Sequence, residues 1–117
     1  MKTVLIVDDS TMMRYIIRNA LTEHGYKVIG EASNGQDGVA KYRELKPDFV
    51  TMDVTMHELS GMDALQQIIS INADAKVVMV SAMGQDVIVR DAIMTGAKGF
   101  IVKPFTGDQL AEALAKL

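Results

Sequence analysis

The sequence has no cysteine, no marked excess of either charge and no apolar run of membrane-spanning length. Without cysteine the chain can form neither disulfides nor thiolate metal sites, and it suits a reducing compartment. A net charge of −3 without a basic run argues against nucleic-acid binding through bulk charge. The start, Met1-Lys2-Thr3, shows no signal-peptide pattern. We therefore expect a cytoplasmic protein that binds neither nucleic acids nor membranes.

Glycine-rich phosphate-binding motifs are also missing. Neither a GxGxxG pattern nor a P-loop follows the first apolar run, which argues against a nucleotide-binding protein of either type. The chain has 117 residues, of which 49% are hydrophobic and 23% charged, as is typical of a soluble globular protein. We expect one domain over residues 1–117.

Short β-branched runs alternate with longer segments of helical period. We predict one helix that Ser10 or Thr11 caps and that ends near His24, a second through about Leu45, and a third that holds Leu65, Ile68 and Ile69. The first has an inner face of Met13, Ile16, Ile17, Ala20 and Leu21. A fourth helix spans Asp86–Thr95, and a fifth follows the capping-box pair Thr106 and Gln109, with a stripe of Leu110, Ala113, Leu114 and Leu117. The predicted strands are Thr3–Asp8, Lys27–Ala32, Phe49–Asp53, Val77–Val80 and Phe100–Val102.

Five strand–helix repeats of this kind predict an α/β fold. A parallel five-stranded sheet covered by helices on both faces, a doubly wound three-layer sandwich, follows from right-handed crossovers. The pattern alone leaves the strand order open among the common choices.

Polar side chains follow four of the five predicted strands. Asp8 and Asp9 end the first strand, Asp53 the third, Ser81 the fourth and Lys103 the fifth. In such sheets, ligands bind outside the carboxyl ends of the strands, so these five groups should share one edge. Any one of them could be an ordinary solvated boundary residue, but the whole set on one edge indicates a site.

The charges of this set predict its chemistry. Three carboxylates beside one ammonium leave an excess of negative charge that a divalent cation would neutralise. Oxygen ligands favour Mg²⁺, for which Mn²⁺ or Ca²⁺ can substitute. Asp53 stands alone at the end of a central strand, where a carboxylate can act as a nucleophile and form an aspartyl-phosphate. Lys103 and the Ser81 hydroxyl would then contact the phosphoryl group.

The sequence resembles the receiver domains of two-component signalling, in particular the stand-alone chemotaxis response regulators of the CheY type. The segments that carry the resemblance are "VLIVDDSTMMRYIIRNAL", "PDFVTMD", "SGMDAL", "VVMVSAMG" and "GAKGFIVKPFT", and they cover the chain in the order of the family. The resemblance implies the flavodoxin-like strand order 2-1-3-4-5, for which CheY is itself a standard example.

The resemblance also implies roles for the site residues. Asp53 would accept a phosphoryl group from a sensor histidine kinase. Asp9, Asp53 and the backbone carbonyl of Thr55 would bind Mg²⁺ directly, and Asp8 would act mostly through water. Lys103 would be the family's lysine, joined to Pro104 by a cis peptide bond.

Switching would involve Ser81 and Phe100. In the family's pattern Ser81 moves towards the phosphoryl oxygens and vacates room for the Phe100 ring, although Phe100 could instead be a permanent core residue. The output surface would comprise the fourth helix, the fifth strand and the fifth helix. Its partner in chemotaxis would be the flagellar motor switch.

The chain departs from the family in the loop after Asp53, where His57 replaces a common proline. His57 could approach the site and alter the lifetime of the aspartyl-phosphate, or it could be an ordinary exposed loop residue. Thr55 and Met83 occupy the two variable positions expected to tune hydrolysis. Neither side chain is acidic or carries an amide, so the sequence does not predict that lifetime.

Three functions fit these residues to different degrees. The first is a phosphorylation-switched binding protein that is not an enzyme beyond its own phosphorylation and dephosphorylation. The second is a phosphorelay intermediate, which would pass the group to another histidine. The third is a Mg²⁺-dependent phosphatase with an aspartyl intermediate, but such enzymes usually have a second aspartate where this chain has Thr55.

Overall fold

Strands and helices alternate along the whole of the described chain. The computed structural model describes residues 1–56 and 59–117. The strands are β1 (Thr3–Val7), β2 (Lys27–Ala32), β3 (Phe49–Asp53), β4 (Val77–Ser81) and β5 (Gly99–Val102). The helices are α1 (Thr11–Glu23), α2 (Gly35–Leu45), α3 (Gly61–Ile71), α4 (Asp86–Thr95) and α5 (Gly107–Ala115).

Four of the five helices begin at a side-chain cap. The side chains of Ser10, Asn34, Ser60 and Thr106 each accept a hydrogen bond from a backbone N–H three residues further on. At Thr106 the bond is reciprocal, because the Gln109 side chain accepts from the Thr106 N–H at 2.9 Å. The predicted capping box is therefore confirmed, and each cap fixes the point where the chain leaves the sheet edge and turns into a helix.

The sheet is parallel throughout and has the order β2-β1-β3-β4-β5. This confirms the predicted doubly wound α/β fold and the strand order that the resemblance implied. Because all strands run in one direction, their carboxyl ends lie along one edge. The order reverses at β1 and β3, so the ends of these two strands flank the switch point where such folds bind ligands.

The sheet separates two hydrophobic cores. On one face, residues of α2, α3 and α4 pack on Leu5, Val7, Met52 and Met79. On the other face, α1 and α5 pack on Val4, Ile6, Phe49 and Val78. Helices on both faces explain why the strands are continuous apolar runs rather than alternating ones.

Ile16 was predicted on the inner face of α1, and this prediction is wrong. Its side chain is 44% exposed, whereas Ile17 and Leu21 are buried. The buried stripe of α1 is centred on this i, i+4 pair, and Ile16 lies one residue, or about 100°, away from it. The strand boundaries differ from the predictions by one residue at Asp8, Ser81 and Gly99, which is the usual uncertainty of strand ends.

Within residues 1–56 and 59–117, no helix combines the length and the apolar character needed to cross a membrane.

Thr51 carries a buried hydroxyl without a hydrogen-bond partner among the described residues. We expect Thr51→Val to raise the free energy of unfolding by about 1 kcal/mol, because it replaces an unsatisfied hydroxyl with a methyl group of similar size. Urea unfolding of both proteins measures this difference. The reverse change at its register partner, Val78→Thr, is the control and should destabilise. A Thr51→Val protein less stable than the wild type would contradict the prediction.

Candidate functional site

Three carboxylates meet at the carboxyl edge of the sheet, where β1 and β3 end. One carboxylate oxygen from each of Asp8, Asp9 and Asp53 lies within 4.8 Å of the other two. We call these three residues the acidic cluster. Asp8 and Asp53 are buried, with 1% and 6% of their surface exposed, whereas Asp9 is exposed. The two adjacent aspartates of the sequence therefore have different environments, one facing the protein interior and one facing solvent.

Asp8 is fixed by the elements on both sides of it. Its backbone N–H donates to the carbonyl of Ala32, at the end of β2, at 3.0 Å. Its Oδ1 accepts from the N–H of Ser10 at 2.9 Å, immediately before α1. A buried carboxylate with these contacts cannot move without disturbing the start of α1.

Lys103 approaches the acidic cluster from β5. Its Nζ lies 3.4 Å from Asp8 Oδ2 and 3.7 Å from Asp53 Oδ1. Its backbone N–H donates to the carbonyl of Ser81 at 2.7 Å, which joins the ends of β4 and β5. The Lys103–Pro104 peptide bond is cis, as the resemblance implied. The Lys103 ammonium thus faces two of the three carboxylates.

The environment of Asp53 disfavours its negative charge. Burial first, then the charge of Asp8 and, to a smaller extent, that of Asp9 raise the pKa of this carboxyl, which reaches about 6 in balance with the opposing effects. Lys103 and the hydrogen bond from the Thr55 N–H, at 3.4 Å, act in the opposite direction without cancelling the shift. The charge of Lys103 therefore does not offset the effects of burial and of the neighbouring carboxylates on Asp53.

Ser81 and Phe100 lie on the same face of the sheet, on neighbouring strands. Phe100 is the register partner of Met79, two residues before Ser81. Ser81 is buried, and its hydroxyl accepts from the N–H of Met83 at 3.0 Å. Phe100 is partly buried against the core beneath α2, α3 and α4. The predicted switch pair thus shares a region of the β4–β5 surface.

Two further residues of the predicted site, Thr55 and His57, follow Asp53 in the chain. His57 lies outside the residues that the structure describes, so its proposed influence on the site stays a prediction. Thr55 contributes its N–H to Asp53, and the role of its carbonyl as a metal ligand also stays a prediction.

Sequence reasoning missed Arg14. Its Nη1 donates to the backbone carbonyl of Asp8 at 2.6 Å, and its Nε pairs with Glu31 of β2 at 3.1 Å. The available signal was an arginine in the first turns of a helix that begins directly after the acidic pair. Glu31 lies 17 residues away along the chain, so no local sequence pattern indicates its ion pair with Arg14.

The comparison with protein families decides the identity of this arrangement. The sequence profile of the response regulator receiver domain matches residues 4–115. The chain belongs to this family. The acidic edge of the sheet thus lies in a response regulator receiver domain.

Chemotaxis proteins are among the relatives of this receiver domain. It is 53% identical over 116 residues to the chemotaxis protein CheY of Thermotoga maritima, covering 99% of this chain and 97% of that protein. The chemotaxis protein CheY of Bacillus subtilis is 51% identical over 113 residues, which cover 97% of this chain and 94% of that protein.

The fold also matches a solved complex. The crystal structure of the CheX–CheY–BeF₃–Mg²⁺ complex from Borrelia burgdorferi superimposes with a TM-score of 0.96 at 34% identity. The match covers 98% of this chain and 87% of that chain. The protein described here is therefore a CheY-like receiver domain in sequence and in fold.

Proposed function

We propose that this receiver domain is a response regulator that is phosphorylated on Asp53 by a sensor histidine kinase in a Mg²⁺-dependent reaction. The observation that carries the proposal is the acidic cluster with Lys103 at 3.4 and 3.7 Å from two of its carboxylates. Apart from its own phosphorylation and dephosphorylation the protein has no enzymatic activity in this proposal, and its effect passes through binding to other proteins.

The residues of the acidic cluster fit a hard divalent cation. Their donors are all carboxylate oxygens, and they lie close enough to bind one ion. Burial and the charge of Asp8 raise the pKa of Asp53 by disfavouring its charged form, which a bound cation would stabilise. Asp9, Asp53 and the Thr55 carbonyl would bind Mg²⁺ directly, with Asp8 acting through water, and Mn²⁺ or Ca²⁺ should substitute. When bound, the ion would supply positive charge to the phosphoryl oxygens.

Asp53 is the nucleophile in this proposal. One of its carboxylate oxygens attacks the phosphorus of a phosphohistidine, so that an O–P bond forms as the P–N bond breaks and the imidazole leaves with the electron pair. Asp53 is buried at the end of a central strand, which restricts the movement of its carboxylate. Lys103 stabilises the negative charge on the phosphoryl oxygens as a point charge.

Phosphorylation would change the β4–β5 surface through Ser81. A phosphoryl group replaces one negative charge with roughly two and adds three acceptor oxygens, to which the Ser81 hydroxyl can donate. The Ser81 hydroxyl can donate to these oxygens while it still accepts from the Met83 N–H, so its movement would draw the start of the β4–α4 loop inward. The space released on the same face would accept the Phe100 ring.

The surface formed by α4, β5 and α5 is the proposed output surface. Only Ala92 of α4 is buried among its described residues, while Val87 and Met94 are 56% and 79% exposed and Val102 of β5 is 42% exposed. Exposed apolar side chains next to the switch pair suit a partner surface. By analogy with the chemotaxis relatives, the partner would be the flagellar motor switch, in the cytoplasm.

The proposal predicts a single phosphoryl adduct, carried by Asp53. Incubation with acetyl phosphate and Mg²⁺ should add one phosphoryl group by intact-protein mass, and EDTA should abolish the reaction. Asp53→Asn should remain unmodified, because its amide is not a nucleophile towards phosphorus. Asp63→Asn, in the first turn of α3, is the matched control and should still react.

An adduct that persists in Asp53→Asn would refute the assignment of the phosphoacceptor. The binding partner of the phosphorylated form separates the response regulator from a phosphorelay intermediate. Transfer of the group to a histidine of a second protein would favour the phosphorelay, whereas tight binding without transfer favours the switch.

A further inference from the structure

Arg14 connects α1 to the backbone of the acidic cluster. Its Nη1 donates to the carbonyl oxygen of Asp8 at 2.6 Å, and its Nη2 donates to Thr11 Oγ1 at 3.3 Å. Its side chain is only 16% exposed. The guanidinium thus contacts the backbone of the cluster, in addition to a partner on its own helix.

The carbonyl that Arg14 contacts lies in the peptide unit directly before Asp9. The carbonyl of Asp8 and the N–H of Asp9 belong to one planar peptide unit. Rotation of this unit about the Cα–C bond of Asp8 would move the Cα and the carboxylate of Asp9 relative to the carboxylates of Asp8 and Asp53, which are held by burial. A hydrogen bond to the Asp8 carbonyl therefore influences where the Asp9 carboxylate lies.

Glu31 holds Arg14 in place. Glu31 Oε1 accepts from Arg14 Nε at 3.1 Å, and its Oε2 accepts from Arg18 Nε at 2.6 Å. The Lys41 ammonium donates to the backbone carbonyl of Glu31. The carboxylate on β2 therefore aligns two arginines of α1, of which only Arg14 has a described contact with the cluster.

We propose that Arg14, aligned by Glu31, is a positioning residue that increases the affinity of the acidic cluster for a divalent cation. This inference rests on the proposed function, since it needs a cation in the cluster. Two effects of Arg14 oppose each other: its positive charge repels a cation, whereas its hydrogen bond fixes the peptide unit before Asp9. The repulsion is small because Glu31 pairs with the guanidinium, so the positioning effect decides the sign.

The test is a Mg²⁺ titration followed by backbone amide NMR shifts, with no phosphodonor present. Arg14→Gln should weaken Mg²⁺ binding about tenfold, as is typical when a group that orients a metal ligand is removed. Arg18→Gln is the matched control, because it also removes an ion pair with Glu31 but loses no described contact with Asp8. Its Kd for Mg²⁺ should stay within about twofold of the wild type. Arg14→Lys, which can still donate one bond, should bind with intermediate affinity.

A second pair of variants separates positioning from general destabilisation. Glu31→Gln should weaken Mg²⁺ binding, and the double variant with Arg14→Gln should bind no more weakly than Arg14→Gln alone, because the two residues act through one contact. Arg14→Gln that binds Mg²⁺ as tightly as the wild type, or more tightly, would overturn the inference. A wild-type protein that binds no Mg²⁺ would instead refute the proposed function itself.

Discussion

Asp53→Asn is expected to be more stable than the wild type at neutral pH in EDTA, although it removes the carboxylate that the proposed function assigns as the phosphoacceptor. The pKa of Asp53 is raised from 3.8 to about 6, mainly by burial and then by Asp8. A shift of this size corresponds to a cost of about 3 kcal/mol when the carboxylate is charged. This cost already includes the attraction of Lys103. Because the buried amide of Asn needs hydrogen-bond partners of its own, we expect a net gain of about 1–3 kcal/mol in urea unfolding.

The pH dependence has a defined sign. The folded protein keeps the Asp53 proton up to about pH 6, whereas the unfolded chain releases it near pH 3.8. The folded state therefore binds more protons between these values, so the stability contributed by this group falls as the pH rises through the window. The gain from Asp53→Asn should thus be largest above about pH 7 and vanish below about pH 4.

Two controls isolate the charge of Asp53. Saturating Mg²⁺ should narrow the difference in the free energy of unfolding, because the proposed function has the wild type bind the ion more tightly than the variant. Asp91→Asn, on the exposed surface of α4, should change stability by no more than about 0.5 kcal/mol. A variant less stable than the wild type across the whole pH range would show that the buried charge is not destabilising.

Gly61→Ala is expected to lower the free energy of unfolding by about 3 kcal/mol or more. A Cβ at position 61 would lie 1.9 Å from the carbonyl oxygen of Asp53 and 2.8 Å from the Cα of Val54. The clash involves backbone atoms, so no rotamer change can relieve it. The N–H of Gly61 also donates to the Val54 carbonyl at 3.0 Å, and this bond would be disturbed.

Gly99→Ala is the matched control for Gly61→Ala. Its Cβ would lie 3.4 Å from the nearest atom, Val78 Cγ2, which is ordinary contact. Its stability should stay within about 1 kcal/mol of the wild type. A Gly61→Ala protein as stable as Gly99→Ala would contradict the close packing of α3 on the end of β3.

The fold was predictable because local signals agree along the chain. Continuous apolar runs, helix caps such as Ser10 and Thr106, and the glycine after α1 each mark a boundary that the structure confirms. The strand order was not predictable from these signals, because it depends on contacts between distant strands. It came from the resemblance.

The site was predictable to the extent that its residues follow strands. The convergence of Asp8, Asp9 and Asp53 follows from the parallel sheet, and Lys103 follows from its place after β5. The sequence does not predict that Asp8 is buried and Asp9 exposed, because both are aspartates that directly follow the same apolar run. The contacts of Arg14 with Asp8 and Glu31 were also not predictable, because they depend on how α1 packs beside β2.

The most direct measurement locates the phosphoryl group on the chain. Borohydride reduction converts an aspartyl-phosphate to homoserine, which peptide sequencing by mass spectrometry identifies. After incubation with acetyl phosphate and Mg²⁺, the account predicts homoserine at position 53 and unmodified aspartate at positions 8 and 9. Homoserine at another position, or intact Asp53 in protein that carries the phosphoryl group, would contradict it.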